Sequence, residues 1–172
     1  MPATSRGCAP YIAPRHPERG TALAEMLKNL GFTVALRSLG TLPGPRTEIY
    51  IADTIGELGT LYALAPVAFI GGSLIDRGGQ NPIEAVRHGA AVLTGPHWQN
   101  FRDEYRTLLR HEGVIEVKSS ADIAGAVSRL LDSPGELQRM RSGATQALAT
   151  LSGALDKTVE ALLRYLPDER LK

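Results

Sequence analysis

Cysteine is almost missing from this sequence, since Cys8 is the single one among 172 residues. A lone cysteine excludes an internal disulfide and cannot supply a cysteine metal cluster. No spacing typical of metal ligands is found elsewhere, so we predict no metal site and no cofactor. Scarce cysteine also fits a protein of a reducing compartment such as the cytosol.

Long hydrophobic runs are missing as well. No apolar stretch approaches the ~20 residues that a helix needs to cross a bilayer, and no signal peptide is recognisable at the start. We therefore expect no membrane segment in this chain. The formal net charge is only +1, which gives no reason to expect nucleic acid as a partner.

The sequence does contain short apolar runs that alternate with longer helical patterns. Predicted strands are Tyr11–Ala13, Thr33–Leu36, Glu48–Ile51, Val67–Ile70, Ala91–Thr94 and Val114–Val117. Predicted helices are Glu18–Leu30, Ile55–Leu64, Pro82–His88, Trp98–Arg110, Ala121–Leu131 and a last one from Pro134 to about Leu166, softly broken at Ser152 and Gly153. This alternation indicates right-handed βαβ units and a parallel sheet covered by helices on both faces. The fold class is therefore α/β, a doubly wound, Rossmann-like domain over residues 1–172.

Two glycine pairs follow the strand predicted to end at Ile70. In such sheets ligands bind beyond the carboxyl ends of the strands. Gly71 and Gly72 would let backbone N–H groups approach a ligand, and Ser73 adds a hydroxyl. The second pair ends at Gly79, just before a predicted helix start. These turns are the first candidate for a ligand site.

The helix after the second pair is predicted to have Asn81 as its N-cap and Pro82 as its first residue. Free N–H groups and the positive end of a helix favour a phosphate or a carboxylate. Glu84 in the first turn could accept both hydroxyls of a ribose. The alternative is structural, because Glu84 stands three residues after Asn81 and could simply close a capping box.

Three further turns carry polar residues. After the first strand, Arg15 could hold an anion in a fixed fork geometry, whereas His16 is better explained as a turn or cap residue. Asp53 follows the third strand and could be a helix cap or a ligand contact, next to a capping box predicted for Thr54–Glu57. After the fifth strand, His97 and Asn100 are expected at the same rim as the glycine pairs. Their neighbours Trp98 and Phe101 are expected to pack in the core.

No catalytic arrangement stands out from these residues. The sequence contains no Ser/His/Asp order, no P-loop and no G-x-G-x-x-G after the first strand. We therefore predict a domain built for binding, and no catalytic residue is assigned.

Five motifs follow one another in a familiar order. They are Pro14-Arg15-His16-Pro17-Glu18-Arg19, Asp53-Thr54-x-Gly56-Glu57-Leu58, Phe69-x-Gly71-Gly72-Ser73, Gly78-Gly79-x-Asn81-Pro82-x-Glu84 and Gly95-Pro96-His97-x-x-Asn100-Phe101. Together they resemble the C-terminal half of bacterial 3-deoxy-D-manno-octulosonic acid (Kdo) transferases, from about Tyr11 to the C-terminus. The sequence departs from that pattern at Gln80, where a histidine is common.

The resemblance implies one half of a GT-B glycosyltransferase, an enzyme with two Rossmann-like domains across a cleft. The family transfers Kdo from CMP-Kdo to a lipid A precursor in lipopolysaccharide biosynthesis, at the cytoplasmic face of the bacterial inner membrane. By similarity the chain is the soluble, cytoplasmic donor-binding domain. The acceptor site and the catalytic base would belong to an N-terminal domain outside it, so the chain alone is expected to be inactive.

The resemblance also implies donor contacts. These are Arg15, Gly71, Gly72, Ser73, Gly79, Asn81 and Glu84, with the phosphate at the loop and helix start and the ribose at Glu84. Two alternatives stay open at this point. One is a GT-B donor domain for another nucleotide sugar, such as a UDP-sugar, and the other is a non-enzymatic α/β interaction module.

Overall fold

The computed structural model describes residues 9–163, which fall into two compact units divided between residues 61 and 62. The strands are β1 (Tyr11–Ile12), β2 (Val34–Leu36), β3 (Ile49–Ile51), β4 (Val67–Ile70), β5 (Ala91–Thr94) and β6 (Val114–Glu116). The helices are α1 (Gly20–Asn29), α2 (Leu58–Leu64), α3 (Ile83–Arg87), α4 (Arg102–Arg110), α5 (Ser120–Asp132) and α6 (Pro134–Leu163). Short 3-10 turns are formed by Pro17–Arg19, Arg37–Leu39 and Gln99–Phe101.

The first unit contains a parallel three-stranded sheet in the order β1-β3-β2. The central strand β3 is buried along its whole length. Ile49 and Ile51 pack with Ala24 and Leu27 of α1, so one face of this sheet is covered by that helix. On β3 the residue between them, Tyr50, makes an edge-to-face contact with Tyr11 at a centroid distance of 5.6 Å.

The second unit contains a parallel sheet in the order β4-β5-β6. Successive side chains of a strand point to opposite faces, and β5 shows the result. Val92 packs in a cluster with residues of α3, α4 and α6, whereas Ala91 and Leu93 pack in another with Leu130 of α5 and Met140 of α6. Both faces of this sheet are therefore covered by helices, as the apolar strand sequences predicted.

The predicted fold class is confirmed: the chain is a mixed α/β protein with parallel strands and helices between them. All six strands lie where the sequence placed them, to within one residue at either end. The strands hydrogen-bond as two ladders of three, and the ladder in each unit is continuous.

Three helix predictions were wrong in detail. The helix expected from Trp98 begins at Arg102, after the 3-10 turn Gln99–Phe101. The helix expected from Ile55 begins at Leu58, because Gly56 adopts a left-handed conformation with φ of 91° that no helix contains. The break expected at Ser152 and Gly153 does not occur, since α6 is continuous there. One glycine costs a helix only about 1 kcal/mol, which does not interrupt a helix anchored by buried residues such as Ala144.

Between residues 9 and 163, no helix combines the length and the apolar character that crossing a membrane requires.

Candidate functional site

The carboxyl ends of β4, β5 and β6 form one edge of the second sheet. Ile70, Thr94 and Glu116 are the last strand residues there, and they stand in register with one another. Three segments that follow β4 and β5 meet at this edge. We call residues 71–73 the first glycine loop, residues 78–81 the second glycine loop and residues 95–101 the bracing segment.

Ser73 ends the first glycine loop, and its side chain is fully buried. Its hydroxyl donates to the carbonyl oxygen of Ile70 at 2.6 Å and accepts the amide N–H of Gly95 at 2.8 Å. A hydroxyl has one proton to donate, and here that proton serves the fold. Ser73 thus joins the ends of β4 and β5, and the ligand contact that the sequence suggested for it stays a prediction.

Glycine is required at Gly79 in the second glycine loop for two independent reasons. Its φ of 73° lies in the left-handed region. A Cβ atom at this position would also stand 2.9 Å from the carbonyl oxygen of His97. The Gly79 N–H donates to the Gly72 carbonyl oxygen at 3.1 Å, so Gly79 fixes the two loops to each other and has no amide proton left for a ligand.

The bracing segment is hydrogen-bonded to both loops. The His97 N–H donates to the Ser73 carbonyl oxygen at 2.9 Å, and the Asn100 N–H donates to the Gly78 carbonyl oxygen at 3.1 Å. His97 and Asn100 thus lie at the rim of the glycine loops, as predicted. Trp98 packs against the core, also as predicted, and its indole N–H reaches the Glu116 carboxylate at 3.0 Å.

Asn81 bonds the start of α3, which begins one residue later than expected. Its side-chain oxygen accepts the N–H of Ile83 at 2.9 Å. Pro82 is fully buried beside it. The predicted N-cap position is occupied by Pro82 instead, and Asn81 stands one residue before it while its side chain bonds the first helical N–H.

Glu84 lies in the first turn of α3 and is exposed to solvent. Its carboxylate makes no hydrogen bond or ion pair to any residue of the described range 9–163, so the alternative capping box with Asn81 does not form there. The phenol of Tyr62 lies nearby. Burial is the main cause that raises the pKa of Tyr62, and the negative charge of the Glu84 carboxylate adds to it. Glu84 is an acceptor available at the rim of the glycine loops, with an aromatic residue beside it that the sequence had not singled out.

Asp53 in the first unit has a different environment. Only 7% of the residue is exposed, and its two carboxylate oxygens accept the N–H of Ser38 at 2.8 Å and the Ser38 hydroxyl at 2.6 Å. Gly20, at the start of α1, approaches Asp53 so closely that a Cβ atom there would overlap the carboxylate. Asp53 therefore joins β3, the Ser38 turn and α1, and the ligand contact considered for it is not supported.

Glu57 was predicted to close a capping box with Thr54, and it does bond the Thr54 hydroxyl. Its main partner is instead Arg37. The Nε–H of Arg37 is shared between the two carboxylate oxygens of Glu57, and Nη2 donates a further bond of 2.8 Å. These bonds hold the pKa of Glu57 below its ordinary value and raise that of Arg37. Glu57 thus stabilises a turn that lies before α2.

Arg15 and His16 follow β1 in the first unit, and both are exposed. The His16 carbonyl oxygen accepts the N–H of Arg19 at 3.0 Å, and the ring lies 3.5 Å from the Glu18 carboxylate. These contacts agree with the interpretation of His16 as a turn residue. The role of Arg15 as a donor contact stays a prediction.

Tyr105 of α4 is a residue that sequence reasoning missed. It is fully buried, and its hydroxyl donates to the Gln80 carbonyl oxygen in the second glycine loop at 3.0 Å. A tyrosine on a helix 25 positions away carries no sequence signal of such a contact. A signal was available for Gly95, because it is a glycine right after a strand. In the structure a Cβ atom at Gly95 would overlap the Ser73 carbonyl group.

Comparison with known proteins gives a consistent result. No protein-family model matches the chain. It is 38% identical to the 3-deoxy-D-manno-octulosonic acid transferase of Haemophilus influenzae over 156 residues, which is 90% of this chain and 36% of that protein. The transferase of Bordetella pertussis is 36% identical over 90% of this chain and 36% of its own length. A probable mitochondrial transferase of the same name from Arabidopsis thaliana is 36% identical over 88% of this chain and 35% of its own length.

A solved structure is similar over most of the chain. It is the crystal structure of the C-terminal CMP-Kdo binding domain of WaaA from Acinetobacter baumannii, with a TM-score of 0.81 and 29% sequence identity. The match covers 84% of this chain and 76% of that one. The chain thus spans about a third of the length of the curated relatives it matches, and most of a solved C-terminal domain.

Proposed function

We propose that this chain, which belongs to the 3-deoxy-D-manno-octulosonic acid transferase family, binds the nucleotide-sugar donor CMP-Kdo. The observation that carries the proposal is its similarity, at a TM-score of 0.81, to a domain described as CMP-Kdo binding. The geometry of the second unit supports it independently. Two glycine loops and the Glu84 carboxylate, which bonds no residue between 9 and 163, share the carboxyl edge of a parallel sheet, where α/β proteins bind their ligands.

The proposed contacts differ in the kind of group that each residue presents. Gly71 and Gly72 present backbone without side chains, which suits a phosphate. Glu84 offers two exposed carboxylate oxygens, which suit the paired hydroxyls of a ribose. Ser73 and Gly79 contribute by shaping the loops, since the Ser73 hydroxyl and the Gly79 N–H are already engaged.

The remaining two proposed contacts are polar side chains. Asn81 uses its oxygen to bond the first helical N–H of α3, which leaves its amide N–H₂ group as the donor available to a ligand. Arg15 presents an exposed guanidinium after β1, and the planar fork of that group matches a phosphate or a carboxylate. The donor carries both of these anions, a phosphate in CMP and a carboxylate in Kdo.

For the whole protein we propose transfer of Kdo from CMP-Kdo to a lipid A precursor, at the cytoplasmic face of the bacterial inner membrane. This chain contributes the donor site, and no catalytic residue is assigned to it. We expect the acceptor site and the transfer step to need the part of such a protein that lies outside the matched third.

Isothermal titration with a panel of nucleotides tests the proposal. CMP and CTP are expected to bind, and UMP, UDP and GDP to bind at least about tenfold more weakly. Stronger binding of UDP than of CMP would favour a donor domain for another nucleotide sugar. Absence of binding for every nucleotide would favour an interaction module and reject the proposal.

The ribose assignment has its own test in Glu84→Gln. The variant removes the charge from the proposed acceptor of the ribose hydroxyls. CMP binding is expected to weaken about tenfold or more, while the melting temperature stays the same. Glu112→Gln is the matched control, because Glu112 is an exposed glutamate just before β6, at the other end of that strand. Equal CMP affinity in the two variants would reject the role given to Glu84.

A further inference from the structure

The second glycine loop lacks a rigid backbone of its own. Gly78 and Gly79 both have positive φ values, 81° and 73°. Glycine is the residue with the greatest conformational freedom, so two in succession define the path of a chain poorly unless outside contacts hold it. The loop ends with Asn81, and Glu84 follows in the first turn of α3. Both residues are proposed ligand contacts.

Tyr105 supplies such an outside contact from the core. Its ring is fully buried and lies against Trp98 with a centroid distance of 5.8 Å. The hydroxyl donates to the carbonyl oxygen of Gln80 at 3.0 Å, directly between the glycine pair and Asn81. A buried ring has few alternative rotamers, so the position of its hydroxyl is fixed by the packing of α4.

The ionisation state of the phenol suits this role. Burial raises the pKa of Tyr105 to about 12. The hydroxyl therefore keeps its proton throughout the neutral range, and it remains a donor to the Gln80 carbonyl. Phenylalanine in place of Tyr105 would fill the same space with its ring. It would lack only the hydroxyl that makes this bond.

We propose that Tyr105 is a positioning residue for nucleotide binding: by holding the Gln80 carbonyl, it fixes the second glycine loop in the shape that presents Asn81 and Glu84 to the ligand. Tyr105 itself does not touch the nucleotide. Without the hydroxyl the loop samples other shapes, and the apparent affinity falls in proportion to the fraction of molecules that remain competent. This inference rests on the proposed function, because it concerns the same site.

A pair of variants on one helix separates positioning from general stability. Tyr105→Phe removes the hydroxyl that holds the loop. Thr107→Val removes another buried hydroxyl of α4, which donates to the Asp103 carbonyl oxygen at 2.7 Å within the helix. Both variants lose one hydroxyl-to-carbonyl bond from the same element, and only the first loses a bond to the loop.

The variants are compared with the unaltered chain by isothermal titration with CMP and by thermal unfolding. We expect about fivefold weaker CMP binding for Tyr105→Phe and unchanged binding for Thr107→Val, with similar small losses of melting temperature. CMP affinity that is equal in all three proteins would overturn the inference. So would global unfolding of Tyr105→Phe, because the hydroxyl would then be stabilising the fold rather than the loop.

Amide hydrogen exchange without ligand gives a second readout. The N–H groups of Gly79 and Ile83 are hydrogen-bonded on either side of Gln80. They are expected to exchange faster in Tyr105→Phe and at the original rate in Thr107→Val; equal rates in both would count against the inference. If the unaltered chain fails to bind CMP, the proposed function itself is rejected, and the titration of that protein identifies this outcome.

Discussion

Asp53 follows β3 in the first unit and Glu84 lies in the first turn of α3 in the second, and their carboxylates have different surroundings. Asp53 is buried and accepts two hydrogen bonds from Ser38. Glu84 is exposed, and its carboxylate bonds no residue of the described range. An acid close to the end of a strand is therefore not a site by itself. Whether a neighbouring turn satisfies its oxygens decides between a structural role and a ligand contact.

The loops of the two units differ in the same way. In the first unit the turns after β2 and β3 are joined by side chains, with Ser38 bonded to Asp53 and Arg37 to Glu57. In the second unit backbone bonds such as Gly79 to Gly72 join the loops beside side-chain bonds such as Gly95 to Ser73. The exposed carboxylate of Glu84 takes part in neither kind of bond within residues 9–163.

The largest effect on stability is expected for Asp53→Ala. The change removes the charged acceptor of the N–H and the hydroxyl of Ser38, two bonds that are partly buried, which should cost about 2 kcal/mol of unfolding free energy. Glu84→Ala should cost less than about 0.5 kcal/mol, since the side chain is exposed and bonds nothing in the part of the chain that the structure describes. Urea unfolding of both variants checks this, and similar losses would erase the contrast between the two acids.

Gly79→Ala tests whether the shape of the second glycine loop matters for stability and for CMP binding. The added Cβ meets the His97 carbonyl oxygen and requires a left-handed backbone, so we expect a loss of about 1–2 kcal/mol together with weaker CMP binding. Gly125→Ala in α5 is the control, because a Cβ there has open space and alanine favours a helix by about 1 kcal/mol. Unchanged CMP affinity in Gly79→Ala would show that the shape of the loop does not matter for binding.

The smallest effect concerns acid and the Arg37–Glu57 pair. Since the pKa of Glu57 is lower in the folded protein than its ordinary value of 4.5, the pair stabilises the fold above that pH. The contribution is lost as the pH falls through the lowered pKa of the folded state. Unfolding of the original chain and of Glu57→Gln should therefore differ at pH 6 and converge in stronger acid. A difference that is constant over this range would contradict the assignment.

The sequence predicted the elements of the fold well because the strands are short apolar runs covered on both faces. Val67–Ile70 and Ala91–Thr94 were placed correctly to the residue. Helix starts were harder: the pattern at Thr54–Glu57 is a valid capping box, but Arg37 competes for Glu57 from 20 positions away. Long-range partners of this kind leave no local trace in a sequence.

The candidate site shows the same limit. The glycine loops and the helix start beside Asn81 are local features, and the sequence identified them. The engagement of Ser73 with Gly95, 22 positions later, and of Tyr105 with Gln80, 25 positions earlier, depends on the order of strands in the sheet. These contacts decide which groups remain available to a ligand, and they emerge only in three dimensions.

A titration of the ¹⁵N-labelled chain with CMP, followed by NMR, locates the nucleotide on the chain directly. We expect the largest shifts on the amides of Gly71, Gly72, Gly79, Asn81 and Glu84. Another open groove exists in the second unit, lined among others by His111, Arg139 and Gln146, and it has no assigned role. Shifts concentrated in that groove, with the amides of the glycine loops unchanged, would contradict the proposed donor site.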